Sequence, residues 1–143
     1  MQVLYTASAT AKGDGRDGRV ETSDGAVALD LAVPKEMGGA GGAANPEQLF
    51  AAGYAACFHS ALRLVGRRAK ADVSDSVVAA EVGIGPNGSG GFGLTVELVV
   101  DLPAVSRETA EQIVEHAHQV CPYSNATRGN IDVTLTVRET LAA

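Results

Sequence analysis

The sequence NPEQLFAAGYAACFHSALRLVGR (residues 45–67) predicts the central helix of the fold. Asn45 is a good N-cap residue, Pro46 suits the first helical position, and Gln48 completes the spacing of a capping box. Alanine, leucine, phenylalanine and tyrosine occupy every side of this helix up to Arg63. A helix that is apolar on all sides is usually buried, so we expect it to lie at the centre of the protein.

Short strands are predicted on both sides of this helix, where apolar residues alternate with polar ones between turn signals. The predicted strands are residues 3–11, 19–22 and 26–33 before the helix and residues 77–84, 92–102 and 131–137 after it. A second helix is predicted to begin at the N-cap Ser106, with an apolar stripe that Cys121 closes before Pro122 ends it. Strands and helices do not alternate regularly. The predicted fold class is therefore α+β, with a mostly antiparallel sheet packed on the buried central helix.

Length and composition predict one globular domain. The chain has 143 residues, of which 45% are hydrophobic and 20% charged, as expected of a single folded domain spanning residues 1–143. Its formal net charge of −6 argues against nucleic acid or an anionic membrane as a partner, because both require basic surfaces. A chain of this size buries about two thirds of its unfolded surface alone, so dimerisation would help to stabilise it.

The N-terminus and the apolar stretches predict a cytoplasmic protein. Residues 1–11 lack the cationic start of an export signal. The longest charge-free apolar stretch, residues 48–62, has 15 residues, fewer than the ~20 that a bilayer-spanning helix needs. Two cysteines without an export signal indicate a reducing compartment, where such a pair is more often redox-active or incidental than a structural disulfide.

Two glycine runs and three histidines suggest ligand sites that their context does not support. Residues 13–18 and 83–88 match the dinucleotide pattern G-x-G-x-x-G, but each precedes strand residues rather than the helix that a pyrophosphate site requires. His116 and His118 are two positions apart on a helix and point in nearly opposite directions, and His59 has no partner at a metal-binding spacing. We therefore expect no bound nucleotide or metal.

Cys57 and Cys121 are predicted to point into the same hydrophobic core. Cys57 lies within the apolar central helix, and Cys121 ends the apolar stripe of the second helix, 64 residues later. A buried cysteine is often only a small apolar side chain, and burial raises its pKa and makes it unreactive. Two thiols directed at one core can instead form a redox pair if their Cα atoms lie within about 7 Å. The residues themselves leave both interpretations open.

Five runs of sequence carry a resemblance to a known family. They are YTASATA (residues 5–11), GRDGRV (15–20), PKEMGGAGGAANPEQ (34–48), NPEQLFAAGYAACF (45–58) and VCPYSNATRGNIDV (120–133). In these runs the chain resembles the organic hydroperoxide resistance (Ohr) family of the OsmC superfamily over nearly its whole length, which implies an intertwined α+β homodimer. Two positions depart from the family pattern: Asp14 is an extra residue before GRDG, and Ala44 stands where threonine is common.

The resemblance implies roles for four residues. The family's peroxidatic and resolving cysteines fall on Cys57 and Cys121. Its catalytic arginine falls on Arg16, and the carboxylate that partners this arginine falls on Glu47. Without the resemblance, Arg16 would be interpreted as an exposed turn residue and Glu47 as a carboxylate that the helix dipole favours.

The implied activity is the dithiol-dependent reduction of organic hydroperoxides to alcohols, as a defence against oxidative stress. Dihydrolipoamide or a lipoylated protein would be the reductant, and no metal, haem or flavin would be bound. Two other functions fit the same residues. A peroxidase of the OsmC branch would prefer other peroxides, and a non-catalytic protein that binds small apolar ligands would oxidise its cysteines only as a sensor.

Helix geometry gives a further reason to expect a homodimer. Glu47 and Cys57 are ten residues apart on one predicted helix, so about 15 Å separate them along its axis. Either Arg16 bridges this distance, or a second subunit supplies Arg16, Glu47 or both. A helix that is apolar on every side also needs more cover than one small sheet provides. We therefore expect a two-fold dimer with shared sites.

Overall fold

The computed structural model describes residues 1–138, which fall into two compact units. The first unit is Met1–Leu49 and the second begins at Phe50. The α+β class predicted from the sequence is confirmed. The single domain of residues 1–143 stays a prediction, and residues 139–143 lie outside the described part of the chain.

The first unit holds a three-stranded antiparallel sheet in the order β1-β2-β3. Its strands are β1 (Ala9–Lys12), β2 (Arg19–Thr22) and β3 (Ala28–Asp30). The prediction of a strand over residues 3–11 is wrong for residues 3–8. Ala9 already pairs with Thr22, the last residue of β2. The Ser23 N–H still donates to the Ser8 carbonyl at 2.9 Å, but β2 does not extend further to pair with residues 3–7.

The second unit contains most of helix α1 (Pro46–Arg68), which starts in the first unit, and a second three-stranded sheet. Its other elements are β4 (Val77–Pro86), β5 (Phe92–Asp101), α2 (Arg107–Val120), α3 (Pro122–Thr127) and β6 (Val133–Val137). Strands β4 and β5, both predicted from the sequence, form an antiparallel hairpin, and β6 lies parallel to β5. The parallel pair follows from the crossover through α2, because a helix returns the chain to the starting end of the sheet.

Helix α1 begins with the capping box that the sequence predicts. The Gln48 N–H donates to Asn45 Oδ1 at 2.9 Å, and the Asn45 N–H donates to Gln48 Oε1 at 3.2 Å. These two bonds satisfy backbone donors that a helix start otherwise leaves without partners. They fix where the helix starts and so where Glu47, in its first turn, is placed.

Only one face of α1 is buried in the single chain. Tyr54, Phe58 and Leu62 are fully buried and share a core cluster with side chains from β5 and α2. Ala52 and Ala56, on the opposite face, are exposed, in contrast to the expectation that the helix is buried on every side. One sheet covers one side of a helix, so the small side chains of the other face remain uncovered.

By its length and composition, α1 also qualifies as a helix that could cross a membrane. The sequence analysis had expected its charge-free stretch, residues 48–62, to be too short for this. Core helices of water-soluble proteins meet the same criterion. Phe58 and Leu62 pack into the same cluster as Leu98 and Val100 of β5. These contacts are those of a core helix.

Candidate active site

The second unit brings the two cysteines together. The Cys121 thiol donates a hydrogen bond to the sulfur of Cys57, with 3.7 Å between the two Sγ atoms. Both residues are free thiols; Cys57 is half-buried and Cys121 is fully buried. The prediction that the two cysteines point into one core is confirmed.

Pro122 sets the direction of Cys121. A residue that precedes proline is driven out of the helical region, and Cys121 accordingly has an extended backbone with φ −62° and ψ 123°. Helix α2 ends there, as predicted. Pro122 then occupies the first position of α3, a helix of six residues that the sequence analysis missed because it is too short to show a helical period. Cys121 thus sits at a sharp corner between two helices.

Burial and hydrogen bonding act in opposite directions on Cys57. Burial, the largest effect, raises the pKa of the Cys57 thiol, and a hydrogen bond from the Tyr123 backbone lowers it. The neighbouring Cys121 raises the pKa further, and the net shift is upward. Because the thiolate is the nucleophilic form of cysteine, this environment stabilises the unreactive form unless a cation counteracts it.

The first unit contains a bidentate ion pair between Arg16 and Glu47. Arg16 Nη1 donates to Glu47 Oε2 at 2.8 Å, and Nη2 donates to Oε1 at 2.7 Å. The hydrogen bonds from Arg16 hold the pKa of the Glu47 carboxyl below its ordinary value. Planar two-point pairing fixes the direction of the guanidinium as well as its distance. The Glu47 side chain is 12% exposed and that of Arg16 38%, so one edge of the guanidinium stays accessible.

Glycines flank Asp14 in the turn that carries Arg16. Gly13 and Gly15, on either side of it, adopt left-handed backbone conformations with φ 83° and 60°, which glycine adopts without steric penalty. The Asp17 carboxylate accepts a hydrogen bond from the Val33 N–H at 3.0 Å, which ties the turn to the chain beyond β3. The two glycines therefore give this turn the backbone conformations that it needs around Asp14.

Three aromatic rings of the second unit pack against one another, and the backbone of one of them, Tyr123, is hydrogen-bonded to Cys57. The Phe50 and Tyr123 ring centroids are 6.3 Å apart, and those of Tyr54 and Tyr123 are 5.6 Å apart. A Cβ atom at Gly53 would lie 2.7 Å from the Tyr123 hydroxyl, so glycine at this position makes room for the ring. Tyr123 is 39% exposed, and its ring forms an apolar surface that solvent reaches.

A buried polar network that the sequence analysis missed surrounds the Cys121 corner. The Tyr54 hydroxyl lies 2.8 Å from Ser124 Oγ and 3.2 Å from Thr127 Oγ1. His118 Nδ1 lies 2.8 Å from the same Ser124 Oγ. The sequence signal for it is a pair of hydroxyl residues, Ser124 and Thr127, three and six positions after the second cysteine.

His59 also forms a hydrogen bond with a side chain. Its Nε2 lies 2.9 Å from Ser76 Oγ, and the Ser76 hydroxyl donates to the Val73 carbonyl at 2.6 Å. The single proton of Ser76 is thereby used, so His59 must be the donor. The ring of His59 is therefore held by a hydrogen bond within the second unit. Within residues 1–138, no group of three or more histidine, cysteine or acidic side chains is arranged to hold a metal ion.

Unfolding should depend on pH through His118. Burial and the nearby Arg128 hold the pKa of His118 below its ordinary value of 6.5, against a smaller opposite effect of Glu115. The unfolded chain therefore binds this proton more readily, so the free energy of unfolding should fall as the pH drops below about 6.5. The His118→Asn variant should show a flatter Tm profile between about pH 6.5 and 5, as measured by thermal melts. Identical slopes for both proteins would contradict the prediction. Carboxylates of lowered pKa, such as Glu47, act only below about 4.5.

Comparison with known proteins identifies the family. Residues 39–136 match the family model described as OsmC-like protein. The organic hydroperoxide resistance protein of Xanthomonas axonopodis pv. citri is 54% identical over 138 residues, which cover 95% of this chain and 96% of that protein.

Two solved structures match almost the whole chain. An organic hydroperoxide resistance protein from Legionella pneumophila is 51% identical, with a TM-score of 0.92 and coverage of 96% of this chain and 100% of that one. OhrB of Bacillus subtilis is 42% identical, with a TM-score of 0.86 and coverage of 95% and 100%. The chain therefore belongs to the OsmC-like family and, within it, to the organic hydroperoxide resistance proteins.

Proposed function

We propose that this protein is a cysteine-based, dithiol-dependent peroxidase that reduces organic hydroperoxides to alcohols. The observation that carries the proposal is the pair of reduced thiols at 3.7 Å. The half-buried Cys57 is accessible to a small substrate, whereas the fully buried Cys121 is protected from it. The names of the relatives, which specify resistance to organic hydroperoxides, support the same assignment.

In the first step, the Cys57 thiolate attacks one oxygen of the hydroperoxide. A sulfur–oxygen bond forms while the oxygen–oxygen bond breaks, so sulfur loses two electrons and the peroxide gains them. The departing alkoxide takes up a proton and leaves as the alcohol. Cys57 is left as a sulfenic acid.

In the second step, Cys121 attacks the sulfenic sulfur. The new disulfide replaces the sulfur–oxygen bond, and the departing hydroxide combines with the Cys121 proton as water. The two sulfurs, 3.7 Å apart, need to approach by roughly 1.7 Å to reach the bonding distance. An external dithiol then reduces the disulfide. Dihydrolipoamide or a lipoylated protein is the reductant that the family membership suggests, and the cycle requires no bound cofactor.

Arg16 would supply the positive charge that the first step needs. The raised pKa of Cys57 leaves little thiolate at neutral pH, and a guanidinium beside the sulfur would reverse this shift. A guanidinium also donates hydrogen bonds to the peroxide oxygens as charge moves onto the leaving alkoxide. The bidentate contact with Glu47 would keep Arg16 in the orientation for this role, whether it serves its own chain or a second copy.

The surroundings of Cys57 favour an apolar substrate over hydrogen peroxide. Phe50 and Tyr123 provide ring surfaces in the same unit as the thiol, and the hydrocarbon part of an organic hydroperoxide gains from contact with them. Hydrogen peroxide has no such part.

Steady-state peroxide consumption tests the proposed function and its alternatives. The protein should consume cumene hydroperoxide stoichiometrically with dihydrolipoamide and react more slowly with hydrogen peroxide. A faster reaction with hydrogen peroxide would favour a peroxidase of the OsmC branch. A single oxidation without turnover in the presence of dithiol would favour a redox sensor that binds apolar ligands.

We further propose that the active form is a cytoplasmic homodimer. The exposed face of α1 carries the small side chains of Ala52 and Ala56, which permit close approach of a second helix. The exposed apolar residues Val3, Leu4 and Tyr5 precede β1 and are suited to pair with a second copy. Two free thiols are the expected state in the reducing cytoplasm.

Sharing of the active sites can be tested by complementation. Cys57→Ser and Glu47→Ala chains, each inactive alone, would be unfolded, mixed and refolded together. If each site takes the two residues from different chains, the heterodimer contains one intact site and should recover about half of the wild-type activity. Each variant refolded alone is the control. No recovery in verified heterodimers would show that each site is built within one chain, and a monomer by sedimentation would exclude sharing altogether.

A further inference from the structure

The hydrogen bonds around the Cys121 corner run in one direction. The Thr127 hydroxyl donates to the Ser124 carbonyl at 3.2 Å, which uses its only proton. Tyr54 must therefore donate to Thr127, and Ser124 must then donate to Tyr54. Ser124 Oγ is left to accept from His118, so Nδ1 of His118 carries a proton. Each hydroxyl in this series of hydrogen bonds donates once, and each of the three hydroxyl protons has an acceptor.

This chain of bonds connects the two helices that hold the reactive sulfurs. Tyr54 precedes Cys57 by three residues on α1. His118 and Ser124 stand three residues before and three residues after Cys121, on α2 and α3. Tyr54 and Ser124 are fully buried. The network therefore spans the interface across which a disulfide would form.

We infer that Tyr54, Ser124 and His118 are positioning residues. They hold Cys121 in a fixed position relative to α1, so that Cys121 can attack the sulfenic acid of Cys57. The inference rests on the proposed function. An apolar contact would also stabilise this interface, but it would allow the helices on its two sides to slide past one another. A network of buried hydroxyl groups in which every proton has an acceptor is directional, and it favours one arrangement of the groups it joins.

The backbone contacts of Cys121 show why a further connection to α1 is needed. Cys121 has an extended backbone between α2 and α3, so neither helix continues through it. Its N–H donates to the Ala117 carbonyl, and its carbonyl accepts from the Asn125 N–H. These bonds fix the corner to its own two helices, while the side-chain network fixes the corner to α1.

The test separates the two chemical steps. Reduced wild type, Tyr54→Phe and Ser124→Ala would each be mixed with one equivalent of cumene hydroperoxide. Stopped-flow measurements would follow sulfenic acid formation and then disulfide formation, and mass spectrometry would detect sulfinic acid at Cys57 as peroxide is increased. Ile113→Val, which trims the core of the same unit, is the control for lost stability.

We expect the first step to keep its wild-type rate within about twofold in both variants. Disulfide formation should slow about 10- to 100-fold, because reacting groups displaced by about 1 Å lose that much rate, and sulfinic acid should appear at lower peroxide concentrations. The double variant Tyr54→Phe/Ser124→Ala should be no slower than the slower single variant, since both changes interrupt one chain of bonds.

The inference would be overturned by wild-type disulfide formation in both single variants, by equal slowing in Ile113→Val, or by independent, multiplicative effects in the double variant. Failure of the proposed function has a different signature. In that case wild type itself would form no sulfenic acid and consume no hydroperoxide.

Discussion

Replacing Cys57 with serine should abolish the reduction of organic hydroperoxides, whereas Cys121→Ser should still reduce one equivalent. Serine at position 57 removes the nucleophile, because its hydroxyl is far less acidic than a thiol and does not attack the peroxide bond. Cys121 enters only after the alcohol has left. Single-turnover assays with one to ten equivalents of hydroperoxide distinguish the two variants, since Cys121→Ser should stop after the first equivalent.

The same two variants test which cysteine is peroxidatic and which is resolving. Cys121→Ser protein treated with excess peroxide should accumulate sulfenic and then sulfinic acid at Cys57, whereas wild type should accumulate the disulfide. Met37→Leu, a change at an exposed residue of the first unit, controls for oxidation of the Met37 sulfur. A fully active Cys57→Ser protein would exclude the mechanism. Multiple turnovers by Cys121→Ser with dihydrolipoamide would mean that the reductant attacks Cys57 directly.

Local sequence signals predicted the elements whose causes are local. The start of α1 was predicted correctly, because the reciprocal hydrogen bonds of Asn45 and Gln48 lie within four residues of sequence. The end of α2 was correct because Pro122 restricts Cys121 directly. The strand over residues 3–11 was wrong in its first part, because a strand depends on a partner. Alternating apolar and polar side chains do not show how long the neighbouring strand is, and β2 ends at Thr22, opposite Ala9.

Some features of the candidate site could likewise be predicted from the sequence, and others could not. The apolar central helix and the apolar stripe of α2 predicted that Cys57 and Cys121 point into one core, whereas the 3.7 Å between their sulfur atoms came from the structure. The contact between Tyr54 and Ser124 joins residues 70 positions apart, and each of them alone is an ordinary residue of a helix. The pairing of Arg16 with Glu47 came from the family resemblance. Its bidentate geometry came from the structure.

Arg16→Ala should raise the pKa of Cys57 and slow hydroperoxide reduction more than any change outside the two cysteines. Removing a close cation raises a thiol pKa by roughly 1–3 units, and losing a donor to the developing alkoxide costs about 10²–10³ in rate. Thiolate absorbance during a pH titration measures the first effect, and single-turnover kinetics with cumene hydroperoxide measure the second. Arg16→Lys should restore part of the pKa effect, because lysine keeps the charge and loses the two-point pairing.

Arg19 provides the matched control. It lies three residues further along, its side chain is also 38% exposed, and it is paired with Glu21 and Asp30. Arg19→Ala removes the same charge from the same unit and should leave the Cys57 titration unchanged. If Arg16→Ala and Arg19→Ala shift the pKa equally, the effect comes from net charge and Arg16 has no special position. If neither changes the pKa while Arg16→Ala alone slows the reaction, Arg16 contacts the substrate without activating the thiol.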